Sequence, residues 1–414
     1  MDLLERIDEA EARFGAREPL VEAFLPEQAR FPRLRNEARA LLERYPHVEA
    51  RPPLFGMLAG VKDLFHVEQF VTRAGSRLPP DVLQGAEAGS VSRLKRAGAL
   101  ILGKTVTTEF AYFSPGPTRN PRNPEHTPGG SSSGSAAAVG AGLCDVALGT
   151  QTVGSIIRPA AFCGVVGLKP SYNRISTSGV IPVSPSLDHV GLFTPDVAAA
   201  RRCAPVLYED WDASLGGFGR PVLGVPGGPY LAAASADTVE GFRATCRVLA
   251  DAGYELRHVP IMSDFEAVRA RHDVILSAEA AHVHASWFDA HDDLYGPKIA
   301  DLVRRGRSVT DEQLRTALTA RDAFRTELGR AMREHDIDAW VSPSTVGPAP
   351  RGLESTGDPV MNLPWTQTGL PAVSLPAGTA PDGLPMGLQV VGGWYADEAL
   401  LAWAADLERV TTRL

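Results

Sequence analysis

Serine and glycine are concentrated in two short segments whose residue types an acyl-transfer enzyme could use. The first reads Gly129-Gly-Ser-Ser-Ser-Gly-Ser135, and the second reads Gly149-Thr-Gln-Thr-Val-Gly-Ser155. A serine hydroxyl can act as a nucleophile or carry a proton. Successive N–H groups of a glycine-rich loop can bind a developing negative charge. A flexible linker has a similar composition, but the intervening residues 136–148 are mostly apolar and small, which favours structured loops.

Two shorter motifs offer competing nucleophiles. The run from Gly130 to Gly134 fits the Gly-x-Ser-x-Gly elbow with Ser132 as nucleophile, which would also need a later Asp and His. Ser92-Arg-Leu-Lys95 fits the Ser-x-x-Lys motif of penicillin-recognising enzymes, but no Lys-Thr-Gly segment accompanies it. We interpret the first as a chance match in a Gly/Ser-rich loop and the second as a solvated helix face.

Apolar periodicity predicts the strands and helices that would position these loops. Residues 54–61 and 100–102 have the character of buried strands, and Lys62 directly follows the first of them. Asp2 is the predicted N-cap of the first helix. Helical spacing is clearest over residues 2–14, 33–45, 90–99, 241–252, 311–335 and 397–407. This alternation predicts an α/β protein whose sheet is covered by helices on both faces.

Composition limits the classes of partner and cofactor. The 414 residues are 44% hydrophobic and carry a formal net charge of −8, with no basic block. We therefore expect no nucleic-acid partner and no membrane partner. The four cysteines and the pair His282-x-His284 show no metal-ligand spacing. We expect no metal, no cofactor, and reduced thiols in a cytoplasmic protein.

The long pattern from Gly129 to Ser176 resembles the signature of the amidase signature family of serine hydrolases. Lys62-Asp63, Gly103-Lys104-Thr105 and the segment from Gly383 to Gly392 match further family segments, so the resemblance covers roughly residues 54–193 and 336–407. It implies a large mixed, mostly buried β-sheet covered by helices on both faces. It also implies one amidase domain over residues 1–414, with an N-terminal helical segment at about 1–50 and a variable, mainly helical region at about 200–335. We expect a homodimer.

The same resemblance assigns roles to particular residues. Lys62 matches the terminal base, Ser131 matches the serine that follows a cis peptide bond, and Ser155 matches the nucleophile. Serine needs a base to take its proton, and a buried lysine without a carboxylate partner is neutral enough to be that base. The backbone N–H groups expected to bind the oxyanion belong to Thr152, Val153, Gly154 and Ser155.

This chain departs from the family pattern just after the nucleophile. The family usually shows Ser-Ile-Arg-Ile-Pro, whereas this chain shows Ser155-Ile-Ile-Arg-Pro159, so the arginine has moved one position. On a helix or turn this shift directs the side chain to another face. Arg158 either binds a substrate carboxylate, for which its planar fork is suited, or satisfies protein carbonyls or an acid. Gln151 replaces the usual Asp, and Val153 replaces a usual Gly.

These residues lead to an expected reaction and two alternatives. We expect a serine amidohydrolase that converts malonamate to malonate and ammonia through an acyl-enzyme, or transfers the acyl group to hydroxylamine. One alternative is the amidase subunit of a tRNA-dependent amidotransferase. The acidic charge and the lack of an evident partner segment count against it. The other is a non-catalytic carboxylate-binding protein on the same scaffold, against which Lys62, Ser131 and Ser155 argue.

Overall fold

The computed structural model describes residues 2–216 and 219–413, whose strands form one ten-stranded mixed sheet. The strands are β1 Leu58–Lys62, β2 Leu100–Thr105, β3 Val146–Gln151, β4 Val166–Lys169, β5 His189–Thr194, β6 Leu223–Gly227, β7 Leu256–Pro260, β8 Ala339–Pro343, β9 Ala372–Thr379 and β10 Pro385–Gly392. Their spatial order is β2-β1-β3-β5-β4-β9-β10-β8-β6-β7. The strands at the two ends of the sheet pair in parallel, and those in the middle pair antiparallel.

Helices cover both faces of the sheet. They are α1 Leu3–Val21, α2 Arg30–Arg44, α3 Gly89–Arg96, α4 Ser133–Gly140, α5 Ile157–Cys163, α6 Val197–Leu207, α7 Ala236–Asp251, α8 Phe265–Val283, α9 Ala285–His291, α10 Pro297–Gly306, α11 Asp311–Glu334, α12 Leu363–Gln367 and α13 Asp397–Thr411. Successive residues of β3 lie in different hydrophobic cores on the two faces of the sheet. Leu148 belongs to the core that contains residues of α3 and α6, and Ala147 belongs to the core that contains residues of α1, α2 and α4. This alternation is what a strand buried on both sides produces.

Two neighbouring parallel strands end beside each other at the functional loops. β1 pairs with β3 in parallel, with Val61 opposite Leu148, so their carboxyl ends lie at the same edge of the sheet. Lys62 is the last residue of β1, and the loop that contains Ser155 follows β3. The parallel pairing therefore brings the ends of two distant chain segments together.

Most predicted elements are present, with shifted boundaries. The first helix begins at Leu3 with Asp2 as its N-cap, as predicted, because Asp2 and Glu5 form a capping box. The strand predicted from Leu54 begins only at Leu58, since residues 54–57 are turns despite their apolar character. Burial of these turns, rather than strand pairing, accounts for the apolar run.

The middle region is more mixed than its helical periodicity indicated. Residues 200–335 contain helices α7 to α11 and most of α6, but β6 and β7 also lie there and extend the sheet at one end. Both strands are short and contain Gly or Pro, which weakens a strand pattern read from sequence. Separately, none of the helices in the described ranges combines the length and apolar character needed to cross a bilayer.

Candidate active site

Lys62 lies fully buried at the end of β1, surrounded by hydroxyl groups. Its Nζ is 2.7 Å from Ser131 Oγ, 3.0 Å from Ser132 Oγ and 2.7 Å from Thr150 Oγ1. Burial lowers the pKa of Lys62 well below its ordinary value, and the charge of Asp188 only partly opposes this effect. An amine with a lowered pKa and neutral partners is able to accept a proton.

The hydroxyl of Ser131 faces Lys62, and a backbone hydrogen bond holds the residue in place. The Gly130–Ser131 peptide bond is cis, as the family resemblance implied. The Thr108 N–H donates to the carbonyl oxygen of Ser131 at 3.1 Å, and Ser131 Oγ is the acceptor for Lys62 Nζ. The predicted pairing of Lys62 with Ser131 is therefore present in the structure.

The neighbouring Ser132 has a structural role that conflicts with the elbow interpretation. Its fully buried hydroxyl accepts from Lys62, donates to the Thr150 carbonyl at 3.1 Å and accepts from the Thr150 N–H at 3.3 Å. A hydroxyl with three protein partners has no lone pair and no space left for an acyl carbon. Ser132 joins the start of α4 to the end of β3.

The loop of residues 152–155 connects β3 to α5 and exposes a row of donors. Among the described residues, the N–H groups of Thr152, Val153, Gly154 and Ser155 have no protein acceptor. Gly154 is required here, because a Cβ at this position would collide with the Asn362 side chain and with Pro359. Free N–H groups next to a serine are suited to bind an oxyanion.

Gln151 fixes this loop, a role that the sequence did not reveal. Its Oε1 accepts from the N–H groups of Ile156 at 2.7 Å and Ile157 at 3.0 Å, so the side chain closes the loop from strand to helix. Its Nε2 donates to Thr366 Oγ1 at 2.8 Å, and that hydroxyl donates to the Val153 carbonyl at 2.6 Å. The amide thus supplies both an acceptor and a donor, which the Asp usual in the family could not.

Asp188 is a second residue that sequence analysis missed. Its Oδ1 accepts from Thr152 Oγ1 at 2.6 Å, and its Oδ2 accepts from the N–H groups of Val183 and Ser184 at 2.8 and 3.0 Å. Burial raises its pKa to about 6, and these donors oppose the rise. Asp188 therefore anchors the oxyanion loop and is the nearby carboxylate that acts on Lys62.

Arg158 extends from the first turn of α5 into the same site. The side chain is 2% exposed, and its Nη2 donates to the Gly130 carbonyl at 2.6 Å and to Thr356 Oγ1 at 3.2 Å. Its Nε and Nη1 are buried without a protein partner among the described residues. Burial lowers the pKa of Arg158 to about 10, which still leaves it a cation near neutral pH.

One small cleft contains the predicted residues that face substrate. Leu276 of α8 contributes to the wall, so part of the middle region does reach the site. The lining residues are Thr108, Ala111, Tyr112, Phe113, Ser131, Thr152, Val153, Ser155, Arg158, Val183, Leu276, Thr356 and Pro359. Lys62 and Gly154 lie behind this surface, where they contact or support it.

No group of three or more His, Cys, Asp or Glu side chains suited to hold a metal ion occurs within the described ranges. His284, from the pair considered in the sequence, contacts the Tyr295 hydroxyl through Nδ1 at 3.0 Å and packs edge-on against Phe110. Its surroundings are those of a buried aromatic cluster.

Comparisons with known proteins find relatives over almost the whole chain. The model of the family described as Amidase matches residues 13–401. A glutamyl-tRNA(Gln) amidotransferase subunit from Roseiflexus castenholzii is 34% identical over 99% of this chain and 92% of its own length. The corresponding protein from Synechococcus sp. (strain WH7803) is 32% identical over 96% and 92%. A solved structure described as a crystal structure of amidase superposes with a TM-score of 0.90 and is 34% identical. The match covers 99% of this chain and 96% of that one.

These relatives correct the expectation about partners. The sequence analysis expected no nucleic acid and only a homodimer, whereas the relatives' names refer to a tRNA and to one subunit of a larger enzyme. The expectation rested on a net charge of −8. Net charge describes the sum over one chain and carries no information about the assembly in which that chain works, so it could not exclude such partners.

The environment of Lys62 predicts a pH dependence. Turnover should rise with pH as Lys62 loses its proton, because only the neutral amine can accept a proton from Ser131. With the lysine pKa lowered by burial, this rise should be complete below the pH at which an ordinary lysine titrates. The measurement is the pH profile of kcat/KM, together with turnover by Lys62→Ala, which should fall by at least about 10²-fold.

Lys104→Ala provides a comparison, since that lysine is also buried but pairs with Asp63 at 2.7 Å outside the cleft. Near-normal turnover by Lys62→Ala at neutral pH would contradict a role as base. A flat wild-type profile would contradict it as well.

Proposed function

Since this chain belongs to the amidase signature family of serine amidohydrolases, we propose that it hydrolyses a small primary amide that carries a carboxylate. The observation that carries this proposal is Arg158. A buried guanidinium with two unpartnered nitrogens lines the same cleft as Ser131 and Ser155. Buried polar groups are normally satisfied, and a substrate carboxylate is the natural partner for a cation in that position.

The proposed reaction uses the observed contact between Lys62 and Ser131. Ser155 Oγ attacks the amide carbon and gives its proton to Ser131, whose own proton passes to Lys62 over the 2.7 Å contact. The carbonyl oxygen gains negative charge and accepts from the N–H groups of residues 152–155. The proton returns through Ser131 to the amide nitrogen, the C–N bond breaks and ammonia leaves. Water then attacks the acyl-enzyme by the same proton path, which releases the carboxylic acid and restores Ser155.

Malonamate is the substrate that best fits the position of Arg158 near the nucleophile. Its carboxylate lies one methylene from the scissile carbonyl, so a cation that binds it must be close to the nucleophile. Arg158 is three residues from Ser155, and its Nη2 contacts the peptide group that precedes Ser131. The proposed activity is that of a malonamidase, whereas the curated relatives described above are amidotransferase subunits.

A second candidate rests on those relatives. The chain covers 92% of the length of two amidotransferase subunits at 32% and 34% identity. In this role the site would release ammonia from an amide donor for transfer to glutamyl-tRNA within a complex. L-Glutamine is a primary amide with a carboxylate, so Arg158 is compatible with either candidate. The two differ in substrate length and in dependence on partners.

Ser155 should be the acylated residue. Treatment with a sulfonyl fluoride, followed by peptide mass spectrometry, should locate the adduct on Ser155, because its hydroxyl lies beside the free N–H groups of the loop. Ser155→Ala should lose the adduct and all measurable turnover. Ser132→Ala serves as the comparison and should retain the adduct. Modification of Ser132 in the wild type would instead support the elbow motif.

Arg158→Gln should impair malonamate far more than propionamide, a neutral amide of similar size. A hydrogen-bonded charge contributes about 1.5–3 kcal/mol, so kcat/KM for malonamate should fall at least tenfold more than for propionamide. Arg351→Gln is a matched control, because that arginine is 74% exposed in the loop that also contains Thr356. Equal losses on both amides would mean that Arg158 only supports the Gly130 carbonyl.

The purified chain alone should release ammonia from malonamate faster than from L-glutamine. We expect this order because the cleft is small and the cation lies close to the nucleophile. The measurement compares both substrates with and without glutamyl-tRNA, in parallel with affinity purification from the source cells. A stoichiometric second protein, with glutamine hydrolysis that depends on it and on the tRNA, would support the amidotransferase candidate instead.

A further inference from the structure

We propose that the hydroxyl groups of Thr108 and Thr356 complete the carboxylate subsite around Arg158 and determine specificity for charged amides. The inference deepens the proposed function and rests on it. Three features of the cleft support it: the limited hydrogen-bonding capacity of the guanidinium, the unused capacity of the two threonines, and the convergence of all three side chains at Gly130.

Arg158 lacks a free edge for a two-point carboxylate pair. Nη2 has two hydrogens, and two protein acceptors use them: the Gly130 carbonyl at 2.6 Å and Thr356 Oγ1 at 3.2 Å. A bidentate pair joins Nη2 either to Nε or to Nη1, because Cδ blocks the third edge of the guanidinium plane. The free nitrogens are Nε and Nη1. Arg158 can therefore donate to only one oxygen of a carboxylate while it keeps its protein contacts. The second carboxylate oxygen needs another donor.

Thr356 is a suitable second donor. Its Oγ1 accepts from Arg158 Nη2, and its own hydroxyl proton has no acceptor among the residues that the structure describes. The side chain is 3% exposed and lines the cleft, although its neighbours Ser355 and Asp358 are exposed. A buried hydroxyl that already touches the cation would donate to an anion bound there.

Thr108 provides an independent observation of the same kind. Its side chain is fully buried and lines the cleft, and its Oγ1 has no hydrogen-bond partner within the described ranges. Leaving a buried hydroxyl without a partner is unfavourable, so a ligand that accepts from it would recover that cost. The Thr108 N–H also donates to the Ser131 carbonyl, which fixes the residue beside the proposed proton path.

The two threonines converge on one point. A Cβ built on Gly130 would lie 2.7 Å from Thr356 Cγ2 and 3.2 Å from Thr108 Cγ2, so both methyl groups pack over the same glycine. The carbonyl of that glycine holds Arg158. Among the described residues, the carboxylate that acts electrostatically on Arg158 is Asp358, whose Oδ1 accepts from the Val360 N–H at 2.9 Å. The cation and the two threonine side chains thus meet at one glycine beside the cleft, and there we place the anion from outside the chain.

The test replaces each hydroxyl by a methyl group of equal size. Thr108→Val, Thr356→Val and the double variant are compared with wild type on malonamate and on propionamide, and inhibition by malonate is measured. We expect kcat/KM for malonamate to fall about tenfold to a hundredfold more than for propionamide, mainly through KM, as for a lost bond to a charged group. Malonate inhibition should weaken by a similar factor. Thr356→Ser, which keeps the hydroxyl, should retain the preference for malonamate.

Thr107→Val is the matched control, because its hydroxyl donates to the Thr108 carbonyl at 3.0 Å and does not line the cleft. The subsite would be overturned if Thr108→Val and Thr356→Val lost equal activity on both amides and malonate inhibition were unchanged. In that case Arg158→Gln could still show the carboxylate preference. A wild-type enzyme that neither prefers malonamate to propionamide nor binds malonate would overturn the proposed function itself. Thermal unfolding of each variant identifies a loss that comes from misfolding.

Discussion

The burial of Lys62 among hydroxyl groups, which lowers the pKa of its amine, is the constraint on which this site depends. An ammonium removed from water is costly unless an anion accompanies it, and three hydroxyls surround Lys62 instead. Two other buried lysines show that burial alone is not enough. Lys104 pairs with Asp63. Lys169, whose pKa burial lowers to about 7, donates to two backbone carbonyls outside the cleft.

The sheet makes that environment possible. Parallel pairing of β1 with β3 ends both strands at one edge, so the amine at the end of one strand meets Thr150 at the end of the other. Helix α4 covers one side of the site. Because its residues are small, the hydroxyls of Ser132 and Ser135 reach carbonyls of β3 at 3.1 and 2.8 Å. Larger side chains in α4 would separate the two serine-bearing segments, which explains why this apolar stretch is rich in alanine and glycine.

Two charged side chains, Asp188 and Arg158, act on the site from different positions. Asp188, behind the oxyanion loop, offsets part of the desolvation of Lys62. Arg158, at the front, remains a cation with unused donors. Asp188 also holds the Thr152 hydroxyl, and Arg158 also holds the Gly130 carbonyl, so both charged side chains fix the geometry of the site as well as its electrostatic field. The displaced arginine supports the Gly130 carbonyl, which is one of the two roles that its sequence position left open. It also has unpartnered nitrogens in the wall of the cleft, where we propose that it binds a carboxylate.

The sequence by itself determined the parts that depend on local residue order. The glycine-rich loops and the α/β class follow from motifs and periodicity that neighbouring residues encode. The roles expected for Lys62, Ser131 and Ser155 come from the resemblance to the amidase signature. The cap of α1 is equally local, because Asp2 and Glu5 lie within one turn. Boundaries were less predictable: the turns at residues 54–57 are as apolar as a strand, and β6 and β7 are short and irregular in pattern.

Only the tertiary structure decided which distant side chains complete the site. Thr150 lies 88 residues from Lys62, Thr366 lies 215 residues from Gln151, and Thr356 lies 198 residues from Arg158. No local pattern distinguishes these threonines from others in the chain, because their roles arise from hydrogen bonds formed when separate strands and loops meet. The direction of the Arg158 side chain was open for the same reason. It depends on the Gly130 carbonyl and the loop around Thr356, which reach α5 only in the folded chain.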